Sequence, residues 1–303
     1  MNKIKLWLSA FRLRTLPLSV SGIIVGGFLA FYNGLFDLIV FILAILTTIS
    51  LQILSNLAND YGDGLKGTDN DDRIGPERAI QSGLITPVEM FRAIRINILF
   101  VIVLVISTVF MAFGIKRIGY AALFLGLGGL AVYAAIKYTV GKSAYGYRSL
   151  GDLMVFIFFG LLSVMGSYVL FAHRIDHVTI LPACAIGLLS VAVLNLNNMR
   201  DMESDQASNK ITLALKLGWE KAKAYHLFLV IGAMVLTAIW GVLYYTSPFN
   251  LIFLIAFIPL IRHLLFMRKA DQPGLLDSQL KVVALSTFLL AFLLGLGHIY
   301  NAI

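Results

Sequence analysis

Nine apolar runs, each roughly 20 residues long, divide this chain. They fall at 16–35, 38–59, 89–113, 118–137, 151–171, 178–199, 222–245, 249–267 and 279–300. Wound as an α-helix, such a run crosses the ~30 Å hydrocarbon core of a bilayer. Lipid offers the backbone no hydrogen-bond partner, so outside a closed barrel each run must be helical. The expected fold is an all-α integral membrane bundle, with 1–303 as one domain of nine transmembrane helices. Composition agrees. Charged residues make up 13% of the chain and mean hydropathy is +0.87, whereas soluble domains carry about 25% charged residues. Cys184 is the only cysteine. It excludes an intramolecular disulfide and reads as a buried thiol. The N-terminus carries Lys3, Lys5, Arg12 and Arg14, and then an apolar run too long for a signal peptide. With no small-x-small cleavage site, it reads as a retained first span. Pro17, Pro182 and Pro248 stand near helix starts, where proline is tolerated. Pro259 stands inside the eighth run as a candidate kink.

Charge sets the expected orientation. With the N-terminus inside, 21 of the 24 Lys and Arg residues lie on the inner side, and only Lys116, Arg117 and Arg174 lie outside. The positive-inside rule then predicts a cytoplasmic N-terminus and an outer C-terminus. It also accounts for most of the net charge of +8 without nucleic acid. The acids carry separate information, because that rule does not call for them. Fourteen of 16 are on the inner side, the exceptions being Asp37 and Asp176. The inner loops near 60–88, 138–150 and 200–221 are therefore the expected seat of any chemistry.

Two of those loops begin alike. The second run ends in Asn59, with Asp60 and Asp63 following; the sixth ends in Asn197, with Asp201 and Asp205 following. Both read N-x-x-x-D, a spacing that stacks side chains on one helical face. The two runs point the same way, so the motifs can face one another across a cavity. A carboxylate at a helix C-terminus opposes the dipole by a few tenths to about 1 kcal/mol, and more beside hydrocarbon. A divalent cation removes that penalty. Oxygen-only donors suit Mg²⁺, and the absence of His or Cys argues against zinc. Lys66, Arg73 and Arg78 follow the first motif and Lys210 follows the second. Metal with Lys and Arg is a diphosphate-binding chemistry; each base alone could equally be a membrane-surface anchor.

The loop "YTVGKSAYGYRSL" sets Tyr138, Tyr145 and Tyr147 beside Lys142 and Arg148. These tyrosines are either interfacial belt residues or an aromatic wall that stabilises a carbocation. Arg14, in "FRLRTLP", either anchors the first span or points into the cavity. His173 and His177 are four apart on the outer side, a weak metal signal. His226, His263 and His298 are isolated in sequence and read as packing residues.

Nine spans with Asp motifs after the second and sixth resemble the UbiA superfamily of intramembrane prenyltransferases. Within it, "NDYGDGLKGTDNDDRIGPERAIQSGLIT", "YTVGKSAYGYRSLGDLMVFIFFG" and "NLNNMRDMESDQASNKITLALKLG" resemble the branch that prenylates 1,4-dihydroxy-2-naphthoate. The family's first motif maps onto Asn59, Asp60 and Asp63; its third Asp falls at Gly67, and Asp69 is a substitute two residues on. The second maps fully onto Asp201 and Asp205. The resemblance implies two Mg²⁺ ions bridging these motifs and a polyprenyl diphosphate. It implies Lys66, Arg73, Lys142 and Lys210 on the diphosphate, the tyrosines around an allylic cation, and a naphthoate that loses CO₂ to give demethylmenaquinone. It implies a multi-pass protein of the inner membrane with its active site on the cytoplasmic side. Rival readings are another acceptor, such as 4-hydroxybenzoate or homogentisate, and a cation-coupled transporter. Transporters place charged sites near mid-membrane, whereas these acids sit at helix ends.

Overall fold

The computed structural model of the chain describes residues 3–67, 78–141 and 143–299. Among the described residues, eight helices are long and apolar enough to cross a membrane, and Leu16–Tyr32 is a shorter apolar one. These nine match the nine runs. In chain order the helices are α1 (Lys3–Ala10), α2 (Leu16–Tyr32), α3 (Leu38–Lys66), α4 (Pro87–Phe113) and α5 (Ile118–Lys137). After them come α6 (Gly151–Ala172), α7 (His177–Arg200), the short α8 (Met202–Ala207) and α9 (Leu213–Leu217), then α10 (Trp219–Leu243), α11 (Pro248–Lys269) and α12 (Pro273–Ile299).

Local chemistry sets several ends. Asp37 accepts from the Ile39 and Val40 amides and starts α3, and Thr86 with Glu89 forms a capping box at α4. Gly67 closes α3 with φ +71°, a left-handed conformation that glycine adopts without strain. The first half of α11, Pro248–Ala256, is a 3₁₀-helix that becomes α-helical at Phe257, two residues before Pro259. The middle of α6, Phe156–Gly166, is wound as a π-helix, a form that recurs at functional sites.

Packing follows the small residues. A Cβ at Gly22 of α2 would strike the Ser163 hydroxyl of α6, and one at Gly26 would strike that of Ser167. Gly160 of α6 meets Gly187 and Ala183 of α7 in the same way. In lipid, close approach of backbones supplies the dispersion energy that water would otherwise supply as a hydrophobic effect. The core runs through Val25, Leu29, Tyr168, Leu189, Ala192 and Leu196. Helix α12 packs on α2, α7 and α11, while α5 rests on α3 and α4 and buries little of itself. A cavity is left between α3, α4 and α5 on one side and α6 and α7 on the other.

His226, His263 and His298 depart from expectation. They are isolated in sequence but not in space. His226 of α10 and His263 of α11 meet Nε2 to Nε2 at 2.7 Å, and His263 Nδ1 reaches Gln279 Oε1 of α12 at 2.7 Å. His298 sits 2.6 Å from the Asn250 amide nitrogen. Each serves as a polar tie between buried helices, because a ring nitrogen inside the bundle needs a partner. On the outer side, His173 Nε2 lies 2.9 Å from the Ala112 carbonyl oxygen and His177 pairs with Tyr244 and Asp176. The two do not converge on a metal site.

Candidate active site

The cavity has a volume of about 650 Å³ and begins among the polar ends of α3 and α7. On α3 its lining recurs at Ala44, Thr47 and Thr48, Leu51 and Gln52, Ser55 and Asn56, Asn59 and Asp60, and Asp63. That is one helical face followed for five turns. At 1.5 Å per residue the stripe is about 28 Å long, close to the depth of the hydrocarbon core. This wall is largely polar. The opposite wall, including Phe158, Phe159 and Leu162 of α6 and Phe124 and Leu127 of α5, is apolar.

Helix α3 runs seven residues beyond its apolar stretch, so Asp60 and Asp63 lie on the helix and not in the loop after it. Helix α7 ends at Arg200; Asp201 caps it, and the chain restarts as α8, which carries Asp205. The two motifs meet through a lysine. Lys210 Nζ lies 3.3 Å from Asp205 Oδ1 and 3.8 Å from Asp63 Oδ2. The Lys210 ammonium is buried, which opposes its charged form, but the Asp63 and Asp205 carboxylates outweigh this and raise its pKa above the ordinary lysine range. Burial pushes the Asp205 carboxyl up to about 6, against the pull of Lys210. Lowering the pH through about 6 therefore protonates Asp205 and removes that half of the pairing.

Loop 138–150 closes over this point. Tyr147 donates its hydroxyl to Asp63 Oδ1 at 2.8 Å, and Lys66 Nζ lies 3.7 Å from the centroid of the same ring. Lys66 also donates to the Thr139 carbonyl at 2.7 Å. Thr139 in turn donates to the Ala58 carbonyl at 3.0 Å and reaches Asn59 Oδ1 at 3.3 Å. Tyr138 and Tyr145 meet edge to face at 5.3 Å, and both line the cavity. Burial pushes the Tyr138 phenol up to about 12 and raises Tyr145 as well, so both stay neutral. A β-bridge between Arg148 and Ile211, with Ser149 Oγ donating to the Ile211 carbonyl at 2.8 Å, ties this loop to the segment bearing Lys210.

The other acids are held differently. Asp60 Oδ1 accepts from Arg12 Nη2 and Arg78 Nη1, each at 2.8 Å. Asp201 accepts from Arg200 Nε and Nη2, both at 2.8 Å. Arg200 also reaches Asn197 Oδ1 at 2.9 Å and Asp277 at 2.6 Å. The carboxylates at these helix ends are therefore neutralised from within the protein by Arg and Lys, where the sequence pointed first to a metal. Asp69, Arg73 and Lys142 lie outside the described residues, as does the side chain of Arg14.

Arg12 and Arg200 are the site residues that sequence reasoning did not single out. Arg12 stands two positions from Arg14 in one irregular stretch, where no periodicity separates them. Arg200 stands directly before Asp201, ahead of the stretch in which Lys210 was singled out. Arg78 was noted among the bases after the first motif, but not as the partner of Asp60.

Metal fit can be judged from the donors. Among the described residues no three or more His, Cys, Asp or Glu side chains gather into a metal cage. Mg²⁺ does not need one, because it binds through one or two carboxylates and completes its octahedron with water and phosphate. The donors near Lys210 are all oxygen, and Asp205 Oδ2 is buried with no hydrogen-bond partner among the described residues. That donor set fits Mg²⁺.

A family model described as the UbiA prenyltransferase family matches residues 19–279. The chain is 43% identical over 296 residues to the 1,4-dihydroxy-2-naphthoate octaprenyltransferase of Escherichia coli (strain K12), covering 98% of this chain and 96% of that protein. It is 41% identical over 303 residues to the protein of the same description from Haemophilus influenzae, again covering 98% and 96%. Among solved structures, a UbiA homolog from Archaeoglobus fulgidus bound to GPP and Mg²⁺ superposes with a TM-score of 0.65 at 12% identity, covering 97% of this chain and 99% of that one. This last likeness is one of fold. Membrane helices, paired acidic helix ends and a matching family model over most of the length lead to one assignment: the chain belongs to the UbiA prenyltransferase family.

Proposed function

We propose that the protein transfers a polyprenyl group from polyprenyl diphosphate to 1,4-dihydroxy-2-naphthoate, releasing diphosphate and CO₂. The observation that carries this is near-full-length identity of 41–43% to two proteins described as 1,4-dihydroxy-2-naphthoate octaprenyltransferases. The site supplies the chemistry. A diphosphate leaving group needs positive charge at its oxygens as the allylic C–O bond breaks. Lys210 and Lys66 offer it beside Asp63 and Asp205. Asp63 and Asp205 would hold Mg²⁺, with Asp201, Asn59 and Asn197 of the two motifs as further oxygen donors once Asp201 and Asn197 part from Arg200, and the ion would supply Lewis-acid neutralisation of the same oxygens.

The chain's residues do the rest. Tyr147 orients the Asp63 carboxylate, and the neutral rings of Tyr138 and Tyr145 line the cavity, where aromatic groups would stabilise an allylic cation and keep it from water. The C–O electron pair leaves with the diphosphate. A ring π pair forms the new C–C bond, and the pair of the C–CO₂ bond returns to the ring. No net proton and no oxidant is required, so the immediate product is the quinol form of demethylmenaquinone. The prenyl tail lies along the apolar wall of the cavity, against Phe158, Phe159 and Leu162. The positive-inside count supports a cytoplasmic active site in an inner membrane.

The test is an assay in nanodiscs with a polyprenyl diphosphate and Mg²⁺, offering 1,4-dihydroxy-2-naphthoate and 4-hydroxybenzoate separately, with and without EDTA. A decarboxylated, prenylated naphthalene that disappears with EDTA is the expected product. Product from 4-hydroxybenzoate alone would overturn the acceptor.

A further inference from the structure

Arg200 lines the central cavity, and the Asp201 carboxylate that it grips does not. Arg200 Nε and Nη2 each donate to an Asp201 oxygen at 2.8 Å, and Nη2 also donates to Asn197 Oδ1 at 2.9 Å. A fourth bond leaves the motif: Nη1 donates at 2.6 Å to Oδ1 of Asp277, in the first turns of α12. We propose that Arg200 is a resident counter-ion that yields Asp201 to a divalent cation, and that Asp277 is the positioning residue that takes over its guanidinium. This rests on the Mg²⁺ reading of the acidic helix ends and names what regulates one of them.

Three observations carry it. First, the fork covers the oxygens that a metal would need. A guanidinium that bonds both oxygens of a carboxylate fixes its plane as well as its charge. While it is in place, Asp201 is held by Arg200 and not presented to the cavity. The Asn197 side-chain oxygen is engaged by the same guanidinium. One side chain therefore holds two oxygen-bearing residues of the second motif.

Second, the guanidinium has somewhere to go. The Arg200 side chain is only 1% exposed, and arginine does not shed its charge in a protein. Released without an acceptor it would be a bare buried cation, which is strongly unfavourable. The Asp277 side chain is 40% exposed, and Arg200 is its sole hydrogen-bond partner among the described residues. A pivot about the existing Nη1 bond would bring a second N–H onto the same carboxylate, in the two-bond geometry that Asp201 now enjoys.

Third, Asp277 belongs to the face of α12 that borders the cavity. Asp277, Leu280, Lys281 and Ala284 follow one another at i, i+3, i+4 and i+7, which is one helical stripe. The last three line the cavity. Helix α12 packs on α7, whose final residue is Arg200. How α12 lies against α7 therefore sets how firmly Asp277 draws Arg200 away from Asp201.

The test is Mn²⁺ binding to the full chain in nanodiscs, without substrate, read from the loss of the free-ion EPR signal. Mn²⁺ takes the same oxygen donors as Mg²⁺. Binding that survives Asp201→Asn is subtracted as belonging elsewhere. Arg200→Gln removes the competitor and should tighten the remaining binding about tenfold. Asp277→Asn removes the acceptor that gains a bond on handover, and should weaken binding about tenfold. Asp277→Glu should restore most of it. In the double variant Arg200→Gln/Asp277→Asn the Asp277 effect should vanish, because no guanidinium is left to receive. Two outcomes would reduce the effect to general electrostatics and overturn the proposal. One is an undiminished Asp277→Asn effect in the double variant. The other is an equal weakening by Glu203→Gln, which removes a nearby charge that Arg200 does not bond. Weaker binding by Arg200→Gln is equally fatal. Should Arg200→Gln fail to fold, the contrast between Asn and Glu at half-exposed Asp277, set beside Glu203→Gln, decides. No Mn²⁺ binding by the unaltered protein defeats the metal reading and the handover with it. Binding that ignores Asp201, Arg200 and Asp277 defeats the handover alone.

Discussion

The Tyr147 hydroxyl donates to Asp63 Oδ1 at 2.8 Å, while the other oxygen of that carboxylate faces Lys210 at 3.8 Å. This bond, beside those of Thr139 to Lys66, Ala58 and Asn59, joins the loop after α5 to the end of α3 and fixes which way Asp63 presents its oxygens. A hydrogen bond to a charged group contributes about 1.5–3 kcal/mol. Tyr147→Phe should therefore cost about ten- to a hundredfold in kcat/KM for the polyprenyl diphosphate. Lys66 still has a ring to lie over, so the melting temperature in detergent should barely change. Steady-state kinetics beside a thermal scan would check both halves.

Lys210 is the harder loss. It stands buried between Asp63 and Asp205. Lys210→Ala leaves two carboxylates facing one another without their cation, and breaking a buried pair costs about 3–5 kcal/mol. Thermal unfolding in detergent should shift down clearly, and diphosphate affinity should fall with it. Lowering the pH through about 6, where Asp205 takes up a proton, should narrow the stability gap between variant and parent. An equal gap at pH 5 and pH 8 would contradict the pairing.

Asp63→Asn and Asp201→Asn keep size and polarity but remove charge. Both proteins should insert and purify normally yet lose transfer activity, and added Mg²⁺ should not restore it. In the unaltered protein, EDTA should abolish turnover and Mg²⁺ should return it. Normal turnover by either variant would remove these carboxylates from the metal assignment.

Gly26 tests the packing that shapes the cavity. A Cβ there would meet the Ser167 hydroxyl, the Val164 carbonyl oxygen at 2.6 Å and the Tyr168 amide at 2.9 Å. Backbone atoms cannot step aside as a flexible side chain can, so Gly26→Val should destabilise by at least the ~1–3 kcal/mol typical of overpacking. Gly129, with no atom within 4 Å of its Cβ position, is the control. In mid-helix, Gly129→Ala should be neutral or stabilising by up to about 1 kcal/mol. Melting temperatures of the two variants, measured side by side, settle it.

The nine spans and the two acidic helix ends were legible in the sequence because both are local properties. An apolar stretch long enough to cross a bilayer can be little else than a helix, and a carboxylate placed just past it stands out against that background. The family resemblance was legible for the same reason: its motifs are contiguous strings. What the sequence could not decide was pairing. Asp60 meets Arg12 and Arg78 across separations of 48 and 18 residues, and Tyr147 meets Asp63 across 84. His226 and His263, 37 residues apart, look solitary until α10 and α11 bring them to 2.7 Å. Such partnerships depend on how helices are rotated and staggered within the bundle, which small residues such as Gly22, Gly26 and Gly160 set by close approach. The sequence by itself determined that charge would collect at one membrane face, because burying it elsewhere is too costly. Only the tertiary structure decided which cation each carboxylate would hold, because that choice is made by distances a few ångströms long between segments far apart in the chain.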